Sequence, residues 1–117
     1  MSESNKGAVR FTSSAFWGPS HRIANISGTG SVGFDACLFN FWDAAKTNAS
    51  ALHVYGGDVI VTASDFQMRP ANGGGQVLLE ATARKAIITN NLIAGPARIT
   101  NNGCALAIVN NNAPDAA

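Results

Sequence analysis

The segment Val59–Phe66 reads Val-Ile-Val-Thr-Ala-Ser-Asp-Phe, and four other segments of the chain align with it without gaps. Apolar residues recur at the first, third and eighth positions of each copy. The first and third positions lie on one face of a β-strand, because strand side chains alternate. The starts fall 23, 27, 27 and 20 residues apart, and the five segments are Val9–Phe16, Val32–Phe39, Val59–Phe66, Ala86–Ile93 and Leu106–Ala113.

Three apolar columns result from this alignment. They are Val9, Val32, Val59, Ala86 and Leu106, then Phe11, Phe34, Val61, Ile88 and Ile108, then Phe16, Phe39, Phe66, Ile93 and Ala113. A second strand precedes each of the later four segments, with the inward pairs Ala24 and Ile26, Leu52 and Val54, Val77 and Leu79, and Ala97 and Ile99. A third short strand after the eighth position has Phe41 and Met68 as its inward residues.

Two or three strands per repeat of roughly 20 to 27 residues are typical of one turn of a parallel solenoid. The sequence therefore predicts an all-β parallel β-helix of about five rungs over residues 8–113. Residues 1–7 form a polar leader, and residues 114–117 form a C-terminal tail.

Equivalent residues of stacked rungs form ladders along the solenoid. Asn90 is expected over Asn110 and Asn91 over Asn111, where side-chain amides hydrogen-bond along the stack. The alternative, that these asparagines simply mark turns, stays open. Cys37 and Cys104 belong to rungs about 10 Å or more apart, beyond the roughly 7 Å limit for a disulfide. Both are expected to be free thiols.

Composition excludes several classes of partner. The net charge of +1 and the 13% of charged residues leave no basic patch for nucleic acid. No apolar run approaches the roughly 20 residues that span a bilayer. Two histidines without clustered acids or thiols predict no metal site, and nothing indicates a cofactor. The run Asn72–Gly75 is not followed by the Gly-Lys-Ser/Thr of a phosphate loop.

Several runs of the sequence resemble one family. Ala15–Ser20, Ile23–Ile26, Val32–Cys37 and Ala86–Thr100 are similar to the C-terminal part of pectin-lyase-like proteins, those described as glycoside-hydrolase-28-related or pectate-lyase-superfamily. The resemblance covers residues 8–112. It implies a right-handed β-helix, export from the cell, and action on polysaccharides by hydrolysis or β-elimination. It also places the catalytic rungs upstream of the matched region.

The expected function is therefore that of a non-catalytic segment of an extracellular polysaccharide-acting protein, serving as scaffold with carbohydrate contacts. Two alternatives stay open. One is a structural module that self-assembles, and the other is an autonomous glycoside hydrolase or polysaccharide lyase.

Asp58 and Glu80 are the candidates for a catalytic pair. Glycoside hydrolysis requires two carboxyl groups about 5 to 9.5 Å apart, a distance that adjacent rungs provide easily. Turn capping is the alternative role for both.

His53, Tyr55 and Arg98 are candidates for sugar binding on a flat outward face. His53 lies in the column Asn25, His53, Leu78 and Arg98, beside the column Ser27, Tyr55, Glu80 and Thr100. Such side chains hydrogen-bond sugar hydroxyl and carboxyl groups. A solvated sheet face is the alternative.

Trp17 and Trp42 each follow a core phenylalanine segment near the corner where the long loops begin. Two exposed indoles on one edge form a stacking platform for an oligosaccharide. The alternative is that the indole packs against the solenoid, with only its N–H exposed.

One outward column is apolar and predicts a covered surface. It contains Arg10, Gly33, Ile60, Ile87 and Ala107. The sequence suggests no capping segment over Val9, Phe11 and Phe16, so the first rung is expected to present unpaired strand edges. We therefore expect a homo-oligomer, or packing on upstream rungs of a parent protein.

Overall fold

The computed structural model describes residues 5–67 and 75–114, and the regular structure within them is entirely β-strand. The strands are short because each one crosses a single side of the solenoid before a corner turns the chain. They are β1 (Ala8–Thr12), β2 (Ala15–Trp17), β3 (Ala24–Ile26), β4 (Ser31–Asp35), β5 (Leu38–Asn40), β6 (Leu52–Val54), β7 (Asp58–Thr62), β8 (Asp65–Phe66), β9 (Val77–Glu80), β10 (Lys85–Thr89), β11 (Leu92–Ile93), β12 (Ile99–Asn102), β13 (Leu106–Asn110) and β14 (Ala113–Pro114).

The strands form three parallel sheets. Sheet A has the order β1-β4-β7-β10-β13, sheet B has the order β14-β11-β8-β5-β2, and sheet C has the order β12-β9-β6-β3. Each strand pairs with the strand three places later in the chain, which is the topology of a solenoid. The predicted parallel β-helix is confirmed. There are five layers, but sheet C contributes four strands, so the described chain makes about four turns.

Aromatic rings fill the core of the first three layers. Phe16, Phe39 and Phe66 stack with centroid distances of 5.5 and 4.6 Å, and Phe34 meets Phe39 edge-on at 5.4 Å. Phe39 and Phe66 are fully buried. The predicted columns of inward residues are correct over layers one to four, where the strand register matches every pair.

The corner between sheets A and B repeats one backbone geometry in every layer. Its first residue has a left-handed φ of 50 to 60°, and these residues are Ser13, Ala36, Ala63, Asn90 and Asn111. The next residue hydrogen-bonds along the stack. The N–H of Cys37 donates to Ser64 Oγ at 3.1 Å, and the N–H of Ser64 donates to Asn91 Oδ1 at 3.0 Å.

An asparagine ladder therefore exists, but its pairs are shifted by one residue in the last layer. Asn91 Nδ2 donates to Asn112 Oδ1 at 2.9 Å, whereas Asn111 was the predicted partner. Asn112 Nδ2 in turn donates to the carbonyl of Ile88 at 3.0 Å. The alternative that these asparagines only mark turns does not account for Asn91, which is buried and hydrogen-bonds both to Ser64 in layer three and to Asn112 in the last layer.

The same shift corrects the core residues of the last layer. Ala86 pairs with Ala107, Ile88 with Val109 and Ile93 with Pro114, so Leu106, Ile108 and Ala113 leave the predicted inward columns. Alternation could not set this register, because Ala105, Leu106, Ala107, Ile108 and Val109 are all apolar. The left-handed corner at Asn111, aligned with Asn90, is the feature that sets it.

In sheet C the last strand is displaced by two residues from the prediction. Ile99 pairs with Val77 and Asn101 with Leu79, so Ala97 is not an inward residue of this sheet. A shift of two preserves the inward parity, and alternation therefore cannot detect it.

Phe41 and Trp42 exchange their predicted positions. Phe41 has a left-handed φ of 58° and is half exposed, whereas Trp42 is fully buried against Phe66 with the ring planes at 87°. The left-handed residue interrupts the alternation after β5, so the next side chain points inward. The other predicted inward residue of this strand, Met68, lies outside the described residues.

Cys37 and Cys104 are free thiols and buried, which confirms the prediction for both. The Cys37 thiol donates to the carbonyl of Phe11 at 3.3 Å, so it acts as a small core residue with a hydrogen bond inside the first layers.

Candidate functional site

The loop between β2 and β3 carries two basic side chains to the edge of sheet C. It stacks on the loop of the next layer, because the N–H of Asp43 donates to the His21 carbonyl at 3.0 Å and the N–H of Ile23 donates to the Ala51 carbonyl at 2.8 Å. This backbone pairing fixes His21 and Arg22 beside the outward face of β3 and β6.

His53 lies at the centre of that face and is engaged through both ring nitrogens. It stands between Asn25 and Leu78 in the sheet register and is only 9% exposed. Its Nδ1 contacts Nη1 of Arg22, and its Nε2 lies 2.9 Å from Oε1 of Glu80. Nη2 of Arg22 also lies 3.3 Å from Nε2 of His21.

The chemistry of these partners assigns the proton of His53. A guanidinium has donors only, so Nδ1 of His53 must accept the bond from Arg22. The ring proton therefore sits on Nε2 and is donated to the carboxylate of Glu80. Arg22, His53 and Glu80 form one directed chain of hydrogen bonds that runs from a guanidinium through an imidazole to a carboxyl group.

Tyr55 lies over the same imidazole. The two rings stack with centroids 4.0 Å apart at an interplanar angle of 28°, as two residues on one face of the chain permit. The phenol is 41% exposed, so part of it faces solvent. The face therefore combines an aromatic surface with fixed hydrogen-bond donors and acceptors.

The structure brings His53, Tyr55 and Glu80 together, as the predicted columns place them, but not Arg98. The two-residue shift in sheet C puts Thr100 beside Leu78, so the prediction that Arg98 belongs to the His53 column is wrong. The backbone N–H of Arg98 donates instead to Oε1 of Gln76 at 2.6 Å, in the approach to β12.

Asp58 and Glu80 lie in different sheets. Asp58 begins β7 in sheet A and Glu80 ends β9 in sheet C, and each carboxyl group has its own partner, Arg84 for Asp58 and His53 for Glu80. Arg84 contacts both carboxylate oxygens of Asp58 at 2.8 Å. The hydrogen bond from Arg84 holds the pKa of Asp58 below its ordinary value.

The tryptophan platform is also corrected. Trp17 is 64% exposed, but the indole of Trp42 is buried and cannot stack on a sugar. Phe41 is the second exposed aromatic at this corner, since Trp17 pairs with Asn40 and Gly18 abuts the Phe41 carbonyl so closely that a Cβ would lie 1.9 Å from it.

Sequence reasoning missed Arg22 and Phe41 as parts of the two surfaces. Arg22 follows a Gly-Pro pair in a loop, and its approach to His53 depends on how two loops stack, which no local pattern records. Phe41 was hidden by the left-handed residue that breaks the strand alternation.

Within residues 5–67 and 75–114, no group of three or more His, Cys, Asp or Glu side chains is placed to hold a metal ion. The same residues contain no helix long and apolar enough to cross a membrane. A scan against protein-family models, a search of curated proteins and a search of solved structures each find no match to this chain.

Proposed function

We propose that this chain is a non-catalytic β-helix segment that binds polysaccharide on the outward face of sheet C. The observation that carries the proposal is the arrangement around His53, where the Tyr55 ring stacks on an imidazole fixed between Arg22 and Glu80. We define the sugar face by these four residues.

A pyranose suits this face for two reasons. Its C–H surface packs on an exposed aromatic ring, which Tyr55 supplies. Its hydroxyl groups both donate and accept hydrogen bonds, so one sugar is able to use the Glu80 carboxylate and the Arg22 guanidinium together. The chain of bonds through His53 orients both groups before the ligand arrives, which lowers the entropy cost of binding.

The described residues offer poor catalysts for hydrolysis. A general acid must be protonated near neutral pH, but the lowered pKa of Asp58 keeps that carboxyl ionised. Glu80 accepts a hydrogen bond from Nε2 of His53 and has no second carboxyl group opposite it on sheet C. Both nitrogens of His53 are already bonded, so this ring has no free base to offer a substrate.

The proposal extends to the family and to location. The solenoid belongs with the right-handed, pectin-lyase-like β-helices, and the protein acts outside the cell. The resemblance of Val32–Cys37 and Ala86–Thr100 supports the family and the location. The rule that parallel crossover connections are right-handed in about 98% of cases supports the handedness alone.

Affinity electrophoresis and NMR titration with soluble pectin, alginate and β-glucans test the sugar face. Tyr55→Ala is expected to weaken binding to the preferred polysaccharide by about tenfold, or about 1.4 kcal/mol. Leu92→Ala, which removes an exposed apolar side chain from sheet B, is the matched control and should leave binding unchanged. Equal binding by wild type and Tyr55→Ala, or no binding to any of the polymers, contradicts the proposal.

Assays for reducing ends and for unsaturated products should detect no cleavage of the same polymers. Turnover that disappears in Glu80→Gln or Asp58→Asn restores the enzyme alternative.

A further inference from the structure

The outward face of sheet A carries an apolar stripe along its central column. The register aligns Arg10, Gly33, Ile60, Ile87 and Ile108, so Ile108 replaces the predicted Ala107 and extends the stripe. Ile87 is 39% exposed and Ile108 is 52% exposed. Arg10 lies across Gly33, because a Cβ on that glycine would be 2.7 Å from Cδ of Arg10.

Two further columns flank the stripe. One column contains Ala8, Ser31, Asp58, Lys85 and Leu106, and the other contains Thr12, Asp35, Thr62, Thr89 and Asn110. Opposite charges therefore occupy the first column in layers three and four, at Asp58 and Lys85. The Asp58 carboxylate also binds Arg84 of its own chain, so the partner's lysine would be a second cation beside it.

We propose that this face binds a second copy of the chain about a two-fold axis that runs parallel to the strands and passes between Ile60 and Ile87. Such an axis reverses the order of layers and keeps the order of columns. Layer three of one copy meets layer four of its partner. Asp58 then faces the partner's Lys85, Ile60 faces the partner's Ile87, and both contacts occur twice, as isologous symmetry requires.

Charge selects this register over its neighbours. A two-fold axis through layer three sets Asp58 against its own copy, and an axis through layer four does the same to Lys85. An axis along the solenoid sets both charges against threonines of the other flanking column. Like charges across an interface are unfavourable, so the axis between layers three and four is favoured.

The same register brings together further residues of layers two to five. Ile108 meets the partner's Gly33, over which Arg10 lies with its Cδ and two guanidinium nitrogens, so the isoleucine packs on the Arg10 side chain. Thr62 meets the partner's Thr89, and Asp35 meets the partner's Asn110, so the polar column is paired with polar groups.

The interface is small. In this register layers two to five of each copy overlap, so four strands spaced about 4.8 Å apart and three outward columns give a footprint of about 14 by 14 Å. This is below the roughly 800 Å² per partner of a standard stable interface. The dimer is therefore expected to be weak, with a dissociation constant of about 10 to 200 µM.

Sedimentation equilibrium on the full chain tests the register by charge exchange. The wild type should show a reversible monomer–dimer equilibrium. Asp58→Lys alone and Lys85→Asp alone should each raise the dissociation constant at least tenfold, because each sets like charges together at both contacts. An equimolar mixture of the two variants should dimerise again, because each introduced charge then meets its opposite on the other chain.

Contacts within one chain cannot restore dimerisation when the two variants are mixed. A restored dimer therefore reports on the contact between chains alone. Ile87→Lys should also abolish the dimer, while Leu92→Lys on sheet B should leave it intact, and far-UV circular dichroism confirms that each variant is folded. A wild type that remains monomeric at 200 µM, or a mixture that fails to associate, overturns the proposal. A dimer that survives Ile87→Lys overturns it as well.

Discussion

The inner layers and the last layer of the solenoid contain similar strands and the same corner, yet they bury their side chains very differently. In layers two to four the inward residues Phe34, Phe39, Val61 and Ile88 are at most 2% exposed. In the last layer Val109 occupies the equivalent position of β13 and is 39% exposed. Residue type does not explain this, since valine is fully buried at Val61.

The difference lies in the neighbours. Each inner layer has strands and side chains both before and after it, so its core residues are covered on two sides. The last described layer is covered on one side only. In a solenoid, stability is therefore close to a sum of layer-to-layer contacts, and the same apolar residue contributes more in an inner layer.

The largest expected effect is at Phe39. Phe39→Ala removes a ring stacked between Phe16 and Phe66, and it should lower the free energy of unfolding by about 3 to 5 kcal/mol. Val109→Ala, the inward truncation in the last layer, should cost less than about 1 kcal/mol because the site is already open to water. Urea denaturation followed by fluorescence measures both. A loss below about 1 kcal/mol at Phe39 means that the assigned register of the inner layers is wrong.

Asn91 allows the same comparison between an inner layer and the last layer for a buried polar residue. Its amide donates to the carbonyl of Val61 at 3.0 Å and accepts from the N–H of Ser64, all within the core. Asn91→Ala leaves these buried groups unpaired and should cost about 2 to 4 kcal/mol.

Asn112→Ala serves as the last-layer control, with an expected loss of about 1 kcal/mol, because water reaches more of that layer. Equal losses at Asn91 and Asn112 contradict the view that neighbours on both sides determine the contribution.

The sequence predicts most of the inner layers and less of the last one. Alternation and the repeated phenylalanines are enough for the parallel sheets and for the burial of Phe16, Phe39 and Phe66. Over residues 105–109 every side chain is apolar, so alternation carries no register there. The correct cue was the pair Asn111 and Asn112, whose left-handed corner repeats that of Asn90 and Asn91.

The site was predictable only in part, for a related reason. His53, Tyr55 and Glu80 share a strand face, and period-2 spacing places them together. Arg22 reaches them through a loop whose path depends on the loop stacked above it. The sequence left two roles open for Trp42, an exposed platform and packing against the solenoid. The left-handed φ at Phe41, which reverses the alternation and buries Trp42, leaves no mark in a single sequence.

Substituting glycine for the corner residue Phe41 should stabilise the protein, by less than the losses expected at Phe39 and Asn91. A left-handed conformation costs an L-residue with a bulky side chain about 1 kcal/mol, which glycine avoids. Phe41→Gly should therefore raise the free energy of unfolding by up to about 1 kcal/mol. Asn111→Gly is the last-layer comparison and should change it little, because asparagine tolerates this conformation. Thermal unfolding monitored by circular dichroism distinguishes the two, and destabilisation by Phe41→Gly shows that its exposed ring makes a contact worth more than the strain.

The smallest expected effect concerns the exposed ion pair between layers three and four. The pKa of Asp58 is lowered in the folded protein by Arg84, so the pair adds stability above the unfolded carboxyl pKa of about 3.9. That stability is lost as the pH falls through the folded value. Arg84→Ala should therefore lower the urea midpoint slightly at pH 7. The two proteins should have the same midpoint near pH 2, where Asp58 is protonated. A shift that persists in acid assigns the role of Arg84 to packing instead.

Amide hydrogen exchange, read residue by residue by NMR, tests the layered account most directly. The account predicts that amides of β4, β7 and β10 exchange slowest, with nearly equal protection, and that amides of β12 and β13 exchange at least a hundredfold faster. Protection of β13 equal to that of β7 contradicts the account, because the last layer would then be as stable as layers covered on both sides.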